Sequence, residues 1–348
     1  MIVTVKKPQI IPLRALTLLM ALGCATLAAA ADQKPSQLEK PLAGPRATAL
    51  RVTWLYVTAD TASQKVARVQ IGREMVVAET SGPWMRVYAN TDMEEMHEDK
   101  DAPIVGDDTN GAPPPISGWL QGKGIVEETT PDGDQILMGA AAGEEADASD
   151  PRGPVNAAQS ARLLYRRLAE MFPNSPLVSE AAWRSADIQW QLDKADVNSM
   201  RSSKSKDPYM RQQIDEDALR KVMKQFAGTR WADLAAYDLI DNKLCGDWQG
   251  SEDCPAKETE IYEKYAKEHP NGTRTAQALY LATYRQAVLK DMLTADGSGK
   301  KAGEAKSHAE ELAARLKDKF PASDYAWRAE ALVFKLEQGI PVYGIDQE

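Results

Sequence analysis

A spacing that occurs four times constrains this chain more than any other feature. Its markers are Phe172, Phe226, His269 and Phe320, set 54, 43 and 51 residues apart. Nine residues beyond each marker comes an alanine, namely Ala181, Ala235, Ala278 and Ala329, and six beyond come Val178, Ala232, Thr275 and Ala326. Seven residues before the markers stand Tyr165, Leu219, Tyr262 and Ala313, and four before them Leu168, Val222, Tyr265 and Leu316. Steps of three place these residues on one stripe of each of two successive helices. Proline after three of the markers breaks the first helix, and Ser175, Thr229, Thr273 and Ser323 are placed to cap the second. The recurring alanines allow paired helices to approach closely. The spacing therefore predicts stacked helical hairpins over residues 155–340, followed by a short tail at 341–348.

The first 31 residues have another character. Lys6, Lys7 and Arg14 precede an apolar run at 15–27, and Ala28, Ala29 and Ala30 offer small residues for cleavage. That is the pattern of a secretory signal peptide, so the chain is expected to be exported and periplasmic or envelope-associated. Its loss removes three positive charges and moves the net charge from −9 to −12. So acidic a chain argues against a nucleic-acid partner. Ala21-Leu22-Gly23-Cys24 also suits lipidation at Cys24, but simple cleavage near Ala30 is the preferred reading. Attachment to a membrane is expected only if Cys24 is lipidated.

Residues 32–46 hold three prolines and read as a flexible leader. From Leu50 the pattern alternates with period two. Short runs at 50–57, 66–71, 75–78, 84–88 and 118–120, separated by Gly72 and by Ser81-Gly82-Pro83, predict five strands within residues 47–128. So many short strands in so little chain point to a small barrel, which leaves no long free edge. An acidic, proline-containing insertion interrupts it at 90–117. Its Asp92, Glu94, Glu95, His97, Glu98, Asp99 and Asp101 could ligate a hard cation, yet they lack the spacing of a calcium loop and are read as solvated. Residues 129–154, rich in Gly, Ala, Asp and Glu, read as a linker.

Two resemblances follow. Residues 55–77, Pro83-Trp84-Met85-Arg86-Val87 and Gly118-Trp119-Leu120 resemble the bacterial SH3 domain, although Thr58 stands where that family usually has arginine. The resemblance implies attachment to peptidoglycan or packing against a neighbouring domain. The pattern Tyr165…Leu168…Phe172-Pro173…Ser175…Ala181 and its copies resemble tetratricopeptide-type repeats of bacterial envelope proteins, though with a longer period than the usual ~34 residues. That resemblance implies a concave surface holding a peptide or partner protein. The expected fold class is thus multidomain β + α: a small SH3-like β-barrel followed by a tetratricopeptide-like α-helical array.

Catalytic constellations are missing from the sequence. Of its three histidines, His97 lies in the acidic insertion, His269 replaces the phenylalanine of sister copies, and His308 lies among Lys306, Glu310 and Glu311. No nucleophile elbow, phosphate loop or metalloprotease motif is present. The chain is therefore read as a non-enzyme with no cofactor and no metal site. Once the signal is removed two cysteines remain, Cys245 and Cys254, and an oxidising compartment makes a disulfide between them the natural expectation. Tyr165, Tyr262 and Tyr265 are expected in the core, and Trp183 and Trp327 at a partner-binding surface. The partner is expected to be another envelope protein or peptide, with peptidoglycan anchoring through the SH3-like region as the alternative.

Overall fold

A computed structural model describes residues 44–92 and 116–342. The expected signal peptide with Cys24, most of the leader, the body of the insertion with His97, and residues 343–348 lie outside the described residues.

The N-terminal part is an antiparallel sheet of β1 (Arg46–Ala49), β2 (Thr53–Tyr56), β3 (Lys65–Val69), β4 (Glu74–Ser81), β5 (Trp84–Ala89), β6 (Ile116–Gln121) and β7 (Ile125–Glu127). Its order is β3-β2-β6-β5-β4-β1-β7. The expected barrel is not closed, because no pairing among the described residues joins β3 to β7. Two strands escaped the sequence reading. β1 begins inside the expected leader, and its buried side chains, Ala47, Thr48 and Ala49, carry too little apolar surface to signal a strand. β7 has only three residues and pairs along β1. Alternation then decides the faces. In β5, Met85, Val87 and Ala89 turn inward with Leu55, Met75 and Leu120, while Trp84, Arg86 and Tyr88 turn outward.

Helices follow: α1 (Gly133–Ser149), α2 (Ala157–Met171), α3 (Val178–Ser199), α4 (Asp217–Gln225), α5 (Arg230–Asp238), α6 (Asp253–Glu268), α7 (Thr275–Ala295), α8 (Gly299–Lys319) and α9 (Asp324–Glu337). The last eight pair as four hairpins at the predicted spacing. Each marker is the residue that ends a first helix. The N–H groups of Phe172, Phe226, His269 and Phe320 donate to the carbonyls four residues back, on Leu168, Val222, Tyr265 and Leu316. The recurring alanines Ala181, Ala235, Ala278 and Ala329 are all completely buried, as close helix packing requires.

The linker reading of 129–154 is corrected by α1. Its alanines and glutamates are strong helix formers, and the helix buries Leu137 and Ala141 against α2. Phe172 packs so closely on its first residue, Gly133, that a Cβ there would lie 2.4 Å from the ring. The capping expectation holds at two places only. Thr229 and Ser323 accept hydrogen bonds from the N–H groups of Ala232 and Tyr325. Arg274 precedes α7 in place of Thr273, and Ser175 accepts from Leu177 N–H in the turn before α3.

Sheet and hairpins meet directly. Gly72, at φ +77°, turns the chain from β3 to β4 so near α2 that a Cβ would lie 2.6 Å from Leu163 Cβ. Val126 of β7 shares a cluster with Leu137 of α1 and Leu164 of α2. Beside it Arg167, only 1% exposed, reaches from α2 to Asp92 at 3.2 Å and Glu74 at 3.7 Å, while Glu170 lies 2.7 Å from it on its own helix. Arg46 and Arg73 contact the same two carboxylates from the sheet side, at 2.5 and 3.7 Å. Burial lowers the Arg167 pKa, and Glu170, Asp92 and Glu74 oppose that shift. Asp92, one of the acids considered as a cation ligand, thus serves as a buried counter-ion.

Candidate functional site

The hairpins make a contact to an aromatic ring at the same pair of positions three times, twice from a second ring and once from an arginine. Eleven residues beyond the first three markers stand Trp183, Tyr237 and Tyr280, and five beyond the last three stand Trp231, Arg274 and Tyr325. Each residue of the first set meets the member of the second set on the following hairpin. Trp183 stacks on Trp231 with ring centroids 5.1 Å apart. Arg274 lies 5.8 Å from the Tyr237 ring, and Tyr280 meets Tyr325 at 5.7 Å. All five rings are partly exposed, so the contacts form a strip along the second helices that is part seam and part surface. Arg230, 4.0 Å from the Trp231 ring, and Arg328, 5.6 Å from that of Tyr325, add cations along it.

One carboxylate bonds a ring of the strip, and Asp241 lies close enough to act on it. Trp183 Nε1 donates to Asp238 at 3.2 Å, and Lys194 donates to Asp241 at 2.6 Å. Burial, followed by the charges of Asp187 and Asp241, pushes the Asp238 carboxyl up to about 7 in spite of the hydrogen bond from Trp183. The strip thus presents flat apolar rings, fixed cations and a carboxyl that titrates near neutrality. Such a surface can stack against planar groups and pair with charged ones.

The expected residues scatter around this strip. Trp183 belongs to it. Trp327, 59% exposed on the first turn of α9, has no ring contact with it among the described residues. Trp190, seven residues beyond Trp183 along α3, is buried. Tyr165, Tyr262 and Tyr265 are core, as expected. His269 stacks on Tyr265 at 4.7 Å, and its Nδ1 lies 2.7 Å from Asp233 on the preceding hairpin. His308 meets Glu263 of α6 at 3.2 Å.

Cys245 and Cys254 form the expected disulfide, with Cα atoms 6.0 Å apart. A residue that sequence reasoning missed organises their loop. Glu258 is buried and accepts from Cys245 N–H and Trp248 Nε1 at 3.0 Å each, and from Arg285 at 2.7 Å. In the sequence it is one glutamate among many on a helix, and nothing local marks it. Among the described residues no three His, Cys, Asp or Glu side chains are grouped to hold a metal ion, and no helix is long and apolar enough to cross a membrane.

A second aromatic group lies on the outer face of the sheet. Tyr56 pairs across strands with Trp119, which pairs in turn with Arg86. Trp84 meets Tyr56 edge-on at 5.8 Å. Trp54, exposed nearby, has Lys65 4.6 Å and Arg68 5.6 Å from its ring.

Fold and surface together define a protein with an antiparallel sheet and a four-hairpin helical array that carries a strip of rings between hairpins. Comparison with models of known protein families and with curated proteins finds no match to the chain.

Proposed function

We propose that this chain is an exported envelope protein that works as a non-catalytic scaffold, holding another envelope protein or a peptide through its helical array. We read the array as tetratricopeptide-like and the sheet as SH3-like. The observation that carries the proposal is the threefold aromatic contact. Packing alone would be served by aliphatic side chains, whereas half-exposed Trp, Tyr and Arg are the residues that anchor protein partners. The Asp238 carboxyl adds a group whose charge changes where partners would be exchanged between mildly acidic and neutral surroundings.

A second reading has its own observation. Trp54, Trp84, Trp119 and Tyr56 on the outer sheet face, with Lys65, Arg68 and Arg86 among them, would suit an anionic polymer, so the sheet could anchor the chain to peptidoglycan.

Photo-cross-linking residues placed at positions 231 and 54 of the full-length protein in intact cells separate the two. The scaffold reading expects one dominant protein adduct from position 231 and no loss of wall association on Trp54→Ala. No protein adduct from position 231, together with wall sedimentation that Trp54→Ala abolishes, would establish the anchoring reading instead. Cleavage of purified wall by the protein would sink both.

A further inference from the structure

Among the described residues no hairpin follows the fourth, so its outer face can be compared copy by copy with faces that a following hairpin covers. Fourteen residues beyond the markers stand Ala186, Ile240, Thr283 and Phe334. The first three are 6%, 4% and 0% exposed, whereas Phe334 is 59% exposed. Ala186 clusters with Leu219 and Val222 of α4, and Ile240 with Tyr262, Tyr265 and Ala266 of α6. In both cases the cover is the first helix of the next hairpin.

Two neighbouring positions have turned polar. Three residues before the markers, Ala169, Met223 and Ala266 give way to Lys317. Ten beyond, Ala182, Ala236 and Leu279 give way to Glu330, and Lys317 and Glu330 form an ion pair. Such an exchange ends a repeat array, since a terminal copy needs a polar outer face to stay soluble. Position 334 runs against it: its side chain is apolar and the largest of the four. Phe334 and Val333 floor an open groove of about 330 Å³, and its rim sets Glu310, Glu330 and Glu337 against the single Lys317, a net charge of −2.

We infer that this end face docks an amphipathic helix of a partner protein, with an apolar stripe flanked by basic residues. The inference extends the scaffold reading by naming a second surface and the chemistry of its occupant. The face continues the interface by which each earlier hairpin receives a helix. A second copy of the chain would set one −2 rim against another, whereas a basic helix complements it. The molecule contains a template for the occupant in α4. That helix buries Leu219 and Val222 and carries Arg220, Lys221 and Lys224 against Asp217, a net +2. Anchors three residues apart are what a helix offers a groove.

The test titrates a labelled peptide of residues 217–227 into the full-length protein at low salt and follows anisotropy. Saturable binding is expected, weakened at least about tenfold by Phe334→Glu in the protein, and as strongly by Arg220→Glu, Lys221→Glu and Lys224→Glu together in the peptide. Trp231→Ala, in the aromatic strip, should leave the peptide affinity unchanged. That variant keeps failure here distinct from failure of the scaffold reading, which the cross-linking at position 231 decides. Phe334 is exposed, so Phe334→Glu should melt as the parent does. Absence of peptide binding, an affinity within about twofold of the parent in Phe334→Glu, or equal binding of the charge-reversed peptide would overturn the inference. So would a dimer of the parent that Phe334→Glu dissociates, which would assign the face to a second copy.

Discussion

Between one hairpin and the next, the residues that meet recur: an alanine nine beyond each marker, a tyrosine or leucine before it, an aromatic eleven beyond. Between the sheet and the first hairpin, Arg167, Glu74 and Asp92 meet, and each role is filled once. The first kind of junction is stabilised by apolar burial, which is roughly proportional to area and tolerates changes of detail. The second depends on complete partnering, because a buried charge without its counter-ion costs several kcal/mol. Hairpins can therefore be repeated with drifting sequence and loops of unequal length, whereas the sheet is joined to the array at one unrepeatable place. The Gly72–Leu163 approach and the packing of α1 reinforce that place, so sheet and hairpins do not behave as beads on a linker.

The sharpest way to break this contrast is Arg167→Met. Glu74 and Asp92 would keep only Arg46 and Arg73, on the sheet side, and face α2 without a counter-ion, so a loss of about 3 kcal/mol is expected by chemical denaturation. Adding Glu74→Gln and Asp92→Asn should recover most of it. A loss under about 1 kcal/mol for Arg167→Met alone would show the junction to be apolar after all.

Overpacking a recurring position should do less. Ala278 is completely buried between hairpin helices, and Ala278→Leu is expected to cost about 1–3 kcal/mol, read from the denaturation midpoint. Equal tolerance at Ala278 and at the exposed Ala314 would contradict close helix approach as the reason for the alanine.

An effect confined to part of the pH range concerns Asp238. Its carboxyl holds a proton up to about 7 in the folded chain, against 3.8 ordinarily. Between those values the folded chain binds more protons than the unfolded one, so stability is fullest below the lower value and falls as pH rises through the upper. Asp238→Asn removes that slope and can still accept the hydrogen bond from Trp183. It should stabilise the protein by about 2 kcal/mol at pH 8 and by nothing measurable at pH 4. An Asp238→Asn effect that is the same at both values would place the carboxyl in open solvent.

How far each region was legible follows from the same contrast. The ends of the first helices were legible, since Phe172, Phe226, His269 and Phe320 each close one, whereas the starts of the second helices were legible only at Thr229 and Ser323. The disulfide was legible because only one pairing of Cys245 and Cys254 exists once Cys24 is set aside. Helix α1 was misread because its apolar residues are few and its Gly, Ala and Glu also suit a loop. β1 was missed because Ala47 and Ala49 carry little hydrophobic signal, and Asp92 was placed among solvated acids because its partner lies 75 residues away. Of the aromatic strip, Trp183 was singled out, but its contact with Trp231 joins different hairpins and has no local signature.

From sequence alone, periodicity specified the hairpins, their number, the ends of their first helices and the alanines that let them close. Such patterns are local, and helix geometry converts a spacing of three or four residues into a face without knowledge of the rest of the chain. Only the tertiary structure decided which faces meet. It set Arg167 against Glu74 and Asp92, turned Glu258 into the acceptor for the disulfide loop, left the sheet open between β3 and β7, and exposed Phe334 where its counterparts are covered. Those outcomes depend on which distant groups share a low-dielectric interior and which are left to water, and a one-dimensional pattern carries no measure of either.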